Sequence, residues 1–258
     1  MRIWVGCSGW SYKEWEGVFY PPSSKNKLQF YSNTFNTVEI DSSFYHIPNK
    51  DVVLKWLKMV SGKKFLFSMK VPEIISHDLF FKDFKRCSEE FDAFLSGTVS
   101  YFSNEGKLGS VLLQMPPYFR KEHKETLYKL LEDKSDYRLS VEVRNAGLYH
   151  DKEMKKILEN MNICFVDTDS FESPLVSIDS GLKFAYVRLH GRNSGGWRAE
   201  NPFDYKYKES ELSDVEQLIK RTNYEDIFVY FNNHPRGNAP LNAIDLNARL
   251  GFSKGRLF

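Results

Sequence analysis

The chain has 258 residues, 41% hydrophobic, 16% aromatic and 27% charged, which supplies enough apolar mass for a sizeable core and excludes a disordered chain. Its 36 basic and 34 acidic residues give a formal net charge of +2 with no block of like charge, which argues against a dedicated nucleic-acid binder with a basic stripe or tail. Three distant cysteines, Cys7, Cys87 and Cys164, lack CxxC spacing and indicate neither a disulfide framework nor a structural zinc site.

The first apolar run, 3–6, follows Arg2 directly and leaves no room for a signal core. No apolar stretch approaches the ~18 residues of a membrane span, so a cytoplasmic protein without membrane attachment is expected. Further short apolar runs follow at 37–40, 65–69, 110–114, 139–143, 164–167, 185–189 and 227–231. They are nearly continuous rather than strictly alternating, as in parallel strands buried on both faces.

Amphipathic segments lie between them. Val52, Val53, Trp56, Leu57 and Val60 share one helical face, as do Phe84, Cys87, Phe91, Phe94 and Leu95, and then Leu127, Leu130 and Leu131 after the Pro116, Pro117 break. The connection 171–181 shows little helical pattern. Strand-then-helix repetition predicts an α/β fold: one domain over 1–258, built as a single eight-stranded parallel β/α barrel of the TIM type, with a short or irregular sixth helix.

Sites on such barrels are built at the carboxyl ends of the strands. Two long connections, 8–26 and 190–208, fall there, and the strand ends are polar: Glu39 with Asp41, Met69 with Lys70, Glu142 with Arg144, Asp167 with Asp169, Arg188 with His190 and Arg192, and Asn232, Asn233 and His234. Period-two alternation puts Glu39 and Asp41, Glu142 and Arg144, Asp167 and Asp169, and Arg188 and His190 on common faces, aimed at the barrel axis. Buried charges need partners or a ligand. An internal salt-bridge network would satisfy any single pair, but the whole constellation points to a site.

Within it the catalytic candidates are Glu142 and His190 for proton transfer, Arg144 and Arg188 for charge stabilisation, and, with no role assigned, Glu39 and Asp167. Glycines 191, 195, 196 and 237, with Asn238 as a cap for a helix near Pro240 and Arg188, Arg192, Arg198 and Arg236 around them, suggest an anion seat between the last two loops. Aromatic residues crowd the same end: Trp10, Tyr12, Trp15, Phe19, Tyr20, Phe44, Tyr45, Trp197, Phe203, Tyr205 and Tyr207. At least half should pack a lid, with Trp10 and Trp197 expected to touch ligand. Cys7 reads as a structural residue.

These motifs converge on a known family. GCSGWSYKEWEGVFYP at 6–21, VEIDSSFYHIP at 38–48, FLFSMKVPEIISH at 65–77, VLLQMPP at 111–117, VEVRN at 141–145, YVRLHGR at 186–192 and YFNNHPRGNAPLNA at 230–243 resemble the YecE-like proteins, domain of unknown function 72. The resemblance covers nearly the whole chain and implies a β/α barrel with no established activity. It implies signature positions at Trp10, Glu39, Tyr45, Lys70, His77, Gln114, Glu142, Arg144, Arg188, His190, Gly191, Asn232 and Asn233. Cys7 and Ser76 stand where the family pattern favours Thr.

The functional expectation is an enzyme, a hydrolase, lyase or isomerase, acting on a polar or anionic small molecule such as a sugar phosphate or nucleotide. Trp10, Asp41, Tyr45, Lys70, His77, Gln114, Arg192, Trp197, Asn232 and Asn233 would bind it. No cofactor is required; if a divalent metal is present, Glu142, Asp167, His190 and His234 are its ligands. A glycosidase pairing Glu39 with Glu142 ranks lower, because strands two and five are distant around a barrel. Single-stranded nucleic-acid binding at the aromatic, basic mouth and noncatalytic metabolite sensing are the alternatives from other classes.

Overall fold

The computed structural model describes residues 1–252, so 253–258 of the expected domain lie outside the described residues. Each apolar run forms a parallel strand: β1 (Arg2–Cys7), β2 (Thr37–Ile40), β3 (Leu66–Lys70), β4 (Leu108–Met115), β5 (Leu139–Val143), β6 (Cys164–Phe165), β7 (Asp167–Ser170), β8 (Phe184–Gly191) and β9 (Asp226–Phe231). The helices are α1 (Lys27–Thr34), α2 (Lys50–Met59), α3 (Phe80–Lys82), α4 (Phe84–Phe94), α5 (Ser100–Asn104), α6 (Lys124–Leu131), α7 (Lys152–Asn160), α8 (Glu209–Lys220) and α9 (Asn238–Arg249). Asn49, Asp83 and Asp151 start α2, α4 and α7 by accepting hydrogen bonds from the amides of Val52, Arg86 and Met154, which satisfies donors that the first helical turn leaves free.

The strands form two parallel sheets, β1-β9-β8-β7 and β2-β3-β4-β5-β6, where one continuous eight-stranded sheet was expected. The sixth predicted strand is divided at Val166, which belongs to neither β6 nor β7 although its amide still donates to the Val141 carbonyl at 2.9 Å. At the opposite seam, β1 and β2 meet through a Ser8–Glu39 bridge and a 2.8 Å bond from the Gly9 amide to the Glu39 carbonyl. No helix occupies the stretch between Ser170 and Phe184.

Alternation along the strands separates two cores. Val5, Cys7, Val38, Ile40, Phe67, Met69, Val229 and Phe231 pack outward, in one large cluster with Val53, Phe91, Leu127 and Leu158 of the helices. Trp4, Leu112, Cys164, Val166, Phe184, Tyr186, Phe228 and Tyr230 form a second buried cluster on the alternate faces, between the sheets. Toward the strand amino ends this inner plug is largely aromatic, with the hydroxyls of Thr37 and Ser68 bonded to Tyr230 and Ser110 bonded to Ser140. One step further along the chain direction it gives way to charge, because Glu39, Glu142 and Arg188 occupy the next inward positions.

The connection between β3 and β4 is not one helix. A π turn at Ile74–Leu79 and another at Leu95–Val99 flank α3 and α4; each widens the helical turn by one residue, and the first carries His77.

Gly6 allows the β1–β2 seam to form: a side chain there would stand 2.2 Å from the Thr37 carbonyl oxygen and 2.8 Å from the Tyr31 hydroxyl. Gly6→Ala should therefore destabilise the protein by about 1–3 kcal/mol, the usual range for overpacking, read as a lower urea midpoint. An unchanged midpoint would mean that β1 and β2 are not in this contact.

Candidate active site

The centre of the site is Arg188, which is fully buried on β8. Its Nε and Nη2 donate to Glu39 Oε2 and Oε1 at 3.1 and 2.7 Å, its Nη1 donates to Glu142 Oε2, and its Nη2 reaches Ser8 Oγ at 3.4 Å. Glu39 also accepts from Ser8 Oγ at Oε1 and from the Tyr186 hydroxyl at 2.6 Å on Oε2. Each Glu39 oxygen thus has two donors, which fills the capacity of a carboxylate.

Glu142 is filled in the same way. Gln114 Nε2 donates to Oε2 at 2.9 Å beside Arg188, while His190 Nε2 at 2.9 Å and Arg144 Nε at 3.2 Å donate to Oε1. Gln114 and Glu142 are register partners on neighbouring strands. Burial pushes the Glu142 carboxyl up, but Arg188, His190 and Arg144 together outweigh it and hold it well below the usual carboxylate range. His190 Nδ1 accepts from Asn232 Nδ2 at 3.1 Å, so Nε2 carries the proton given to Glu142. Burial lowers His190 to about 3, with Glu142 opposing and Arg144 and Arg188 assisting; the ring is neutral.

The second half of the site is less saturated. Arg144 spends its Nε on Glu142, and its guanidinium lies 4.2 Å from the Trp197 ring centroid, a cation–π geometry. Trp197 meets the edge of His190 at 5.3 Å and donates from Nε1 to the Tyr149 hydroxyl at 3.0 Å. Lys70 Nζ is 3.3 Å from Asp41 Oδ1 and 3.8 Å above the Phe44 ring. Burial lowers the Lys70 ammonium, Asp41 opposes this, and Arg188 and Arg144 add to it. Burial raises Asp41, but Lys70 and then Arg188 outweigh it and leave the carboxyl below its usual value.

Beside Phe44 opens a cleft of about 800 Å³ lined by Tyr45, Ile47, Glu73, His77 and Tyr118 among others. His77 lies edge-on to Phe44 at 5.0 Å and contacts Ser76 Oγ through Nδ1 at 2.8 Å. Burial, Lys70 and Arg144 lower its pKa to about 4.

Of the predicted site residues, Glu39, Gln114, Glu142, Arg144, Arg188, His190, Trp197 and Asn232 are linked by these contacts, Asp41 and Lys70 form a pair coupled electrostatically to Arg144 and Arg188, and Tyr45 and His77 line the adjoining cleft. Four others lie elsewhere. Asp167 is on the opposite face of its strand from the inward Val166 and lines a separate cleft of about 480 Å³ with Lys155, Glu159 and Asp179, where burial raises its pKa to about 7. Trp10 packs edge-on against Trp56 of α2 at 5.1 Å within the outer core. Arg192 is bound by Asp169 at 2.7–3.0 Å. Asn233 is buried between the Tyr205 carbonyl and Asn242.

Three of the four arginines expected around an anion seat between the last two loops are paired with carboxylates. Arg188 is spent on two carboxylates, Arg192 on Asp169 and Arg236 on Asp204 at 2.7 Å. Asn238 is the first residue of α9 rather than its cap, the cap position being Gly237. The predicted metal ligands also separate: Asp167 faces its own cleft, and His234 stacks on Tyr12 and pairs with Glu14. Among the described residues no group of three His, Cys, Asp or Glu side chains is placed to hold a metal ion. Strands two and five, judged too distant to cooperate, are spanned by Arg188, whose guanidinium fills the space a glycosidase would need between Glu39 and Glu142.

Three residues were missed: Ser8, Tyr186 and Tyr149. Tyr186 was legible, since it shares the period-two face of Arg188 and His190, and Ser8 continues the inward face of Trp4 and Gly6. Of the first-loop aromatics, Trp15, Phe19 and Tyr20 are fully buried against one another and α1, the packing role expected for at least half of the group.

Comparison with solved structures agrees with this architecture. The chain aligns with a DUF72 family protein of Thermotoga maritima at 30% identity and a TM-score of 0.85, covering 97% of this chain and 100% of that one. D-psicose 3-epimerase of Clostridium cellulolyticum aligns over 97% and 96% at 12% identity and a TM-score of 0.54, a likeness of fold alone. The fold and the site thus define a parallel α/β protein of TIM-barrel-like class, with its charges gathered at the carboxyl ends of the strands.

The chain belongs to the DUF72 family: the family described as "Protein of unknown function DUF72" matches residues 4–257. UPF0759 protein YunF of Bacillus subtilis is 30% identical over 92% of this chain and 90% of its own length, and UPF0759 protein YecE of Escherichia coli is 26% identical over 60% and 53%. No helix among the described residues is long and apolar enough to cross a membrane.

The neutral state of His190 gives a pH signature. Its folded pKa, about 3, lies below the unfolded value of about 6.5, so its contribution is fully present above pH ~6.5 and is lost as pH falls toward ~3. Asp167, raised to about 7, acts with the opposite sign over an overlapping range, so a difference measurement is needed. Wild type minus His190→Gln should show stability falling with acid by up to about 1.4 kcal/mol per pH unit in that window. Parallel urea curves across the window would exclude a buried neutral His190.

Proposed function

We propose that this protein is an enzyme that binds an anionic small molecule at Arg144 and Lys70 and moves protons with Lys70 and Asp41, in lyase or isomerase chemistry. The observation that carries this reading is the contrast in satisfaction within one cluster. Glu39, Glu142 and His190 have their bonding capacity filled by Arg188 and by Ser8, Tyr186, Gln114, Asn232 and the Arg144 Nε, whereas Arg144 keeps both Nη groups and Lys70 has one carboxylate at 3.3 Å. Two cations with spare donors, at the ends of β3 and β5 in one strand-end mouth and close enough to act on each other electrostatically, call for a ligand with negative charge. Sugar phosphates and nucleotides are the classes of matching size and charge.

In this reading Glu142 and His190 are positioning residues rather than the proton-transfer pair. Glu142 has no free lone pair, and both ring nitrogens of His190 are engaged, so they hold Arg144 in orientation. Trp197 stacks on the same guanidinium and closes one side. We take the two sheets as one closed eight-stranded barrel, supported by the Ser8–Glu39 bridge at one seam and the Val166 amide at the other. A single cytoplasmic domain without cofactor, nucleic-acid or membrane partner is part of the same proposal.

Inorganic phosphate and pyrophosphate should quench or shift tryptophan fluorescence through Trp197, and Trp197→Phe should remove the signal while calorimetry still detects binding. Arg144→Lys keeps a cation beside Glu142 but loses the planar fork. It should weaken binding by about 10–100-fold, the worth of one charge-assisted hydrogen bond. Binding that is absent, or indifferent to Arg144→Lys, overturns the reading. Incubation with phosphorylated sugars followed by NMR tests turnover; binding without turnover leaves a metabolite-binding barrel in its place.

A further inference from the structure

We infer that Lys70 is a covalent catalytic residue that forms an imine with a substrate carrying both a carbonyl group and an anionic group, an inference that rests on the anion site at Arg144 proposed above. Lys70 ends β3, points into the charged cluster and is only 6% exposed. Its ammonium has three donors but meets one carboxylate oxygen, Asp41 Oδ1, at 3.3 Å, and sits over the face of Phe44 at 3.8 Å. Surface lysines complete their donors with water; this one is sealed from most of it. A desolvated amine near other cations is the environment in which lysine becomes nucleophilic. Burial, Arg188 and Arg144 press Lys70 toward the neutral form, opposed by Asp41 and, less, by Glu39, and the net direction is downward.

The neighbours complete the chemistry without an outside reagent. The Lys70 ammonium passes one proton to Asp41, and the free Nζ attacks the carbonyl carbon, forming a C–N bond as the carbonyl π pair moves to oxygen. A proton from nitrogen reaches that oxygen, giving a carbinolamine. Asp41 then returns its proton to the hydroxyl, which leaves as water while the nitrogen lone pair forms the C=N bond. The net change is ammonium plus carbonyl to iminium plus water, so the charge on Lys70 is the same before and after.

That conservation matters in this site. Lys70 stands in a cluster with Asp41, Glu39, Arg144 and Arg188, and the step leaves the sum of their charges unchanged. A substrate anion would lie on the Arg144 Nη groups, with the remainder reaching past Phe44 toward the cleft of Tyr45, His77 and Tyr118.

The test is competitive labelling of the intact protein with limiting glyoxylate or dihydroxyacetone phosphate and sodium cyanoborohydride, followed by peptide mass mapping. Accessibility alone would label Lys85 and Lys183 first, whose side chains are 89% and 84% exposed, and Lys70 last. The inference requires the reverse order, with loss of that label in Lys70→Arg and selective slowing at Lys70 by inorganic phosphate. Labelling in order of exposure overturns it, and wild-type protein gives this answer even if the variant fails to fold. If phosphate binding still depends on Arg144 while Lys70 stays unlabelled, the imine step alone fails. If uncharged glycolaldehyde labels Lys70 as readily and phosphate has no effect, the anionic-substrate requirement fails with the reading it rests on.

Discussion

The guanidinium of Arg188 holds the two halves of this molecule to one purpose. It stands on β8 of the four-stranded sheet, and its carboxylate partners, Glu39 and Glu142, stand on β2 and β5 of the five-stranded one. A planar group with five donors in fixed directions suits this position: it satisfies Glu39 with two parallel bonds and Glu142 with a third, which a lysine could not do. Withdrawing three charges from water costs more than one such bond returns, so the arrangement persists only because every lone pair is filled. Removing one partner from such a group typically costs about 3–5 kcal/mol, since a buried charge is then left bare.

Saturation at the centre creates reactivity at its edge. Because Arg188 occupies Glu39 and half of Glu142, the other half of Glu142 is available to fix His190 and Arg144. Arg144 in turn is presented with its terminal nitrogens uncommitted and Trp197 over its face. The buried aromatic layer of Trp4, Tyr186, Phe228 and Tyr230 beneath lowers the local dielectric, which strengthens each ionic contact above it. Fold and chemistry share one set of residues, as they do wherever a rigid inner layer orients the groups that meet a ligand.

Much of this was legible in the chain. Strands β2, β5 and β8 each carry a charged residue two positions from another polar one, and that spacing identifies the inward face. The sixth strand carried no such information: Cys-Phe-Val at 164–166 is apolar on both faces, so the inward parity could not be read, and Asp167 was assigned to the wrong side. Arg192 follows Gly191, whose φ of +98° ends the strand geometry, and its side chain turns to Asp169 instead. Trp10 was misread because the chain has already left β1 and turned onto α2, a tertiary contact with no local signature. The saturation of Glu142 was beyond sequence reasoning, since it depends on distances among four strands.

The helix-free stretch between Ser170 and Phe184 bears on how the native state opens. β6 pairs with β5 through two residues, its neighbour β7 is separated from it by Val166, and the connection that follows β7 is irregular rather than helical. Local opening concentrates where few backbone pairs hold a strand, so amide exchange should reach this two-residue pairing early. Such an opening would part the sheets at one edge while the Arg188 contacts still bind them across the middle, so the active site can outlast the local unfolding beside it.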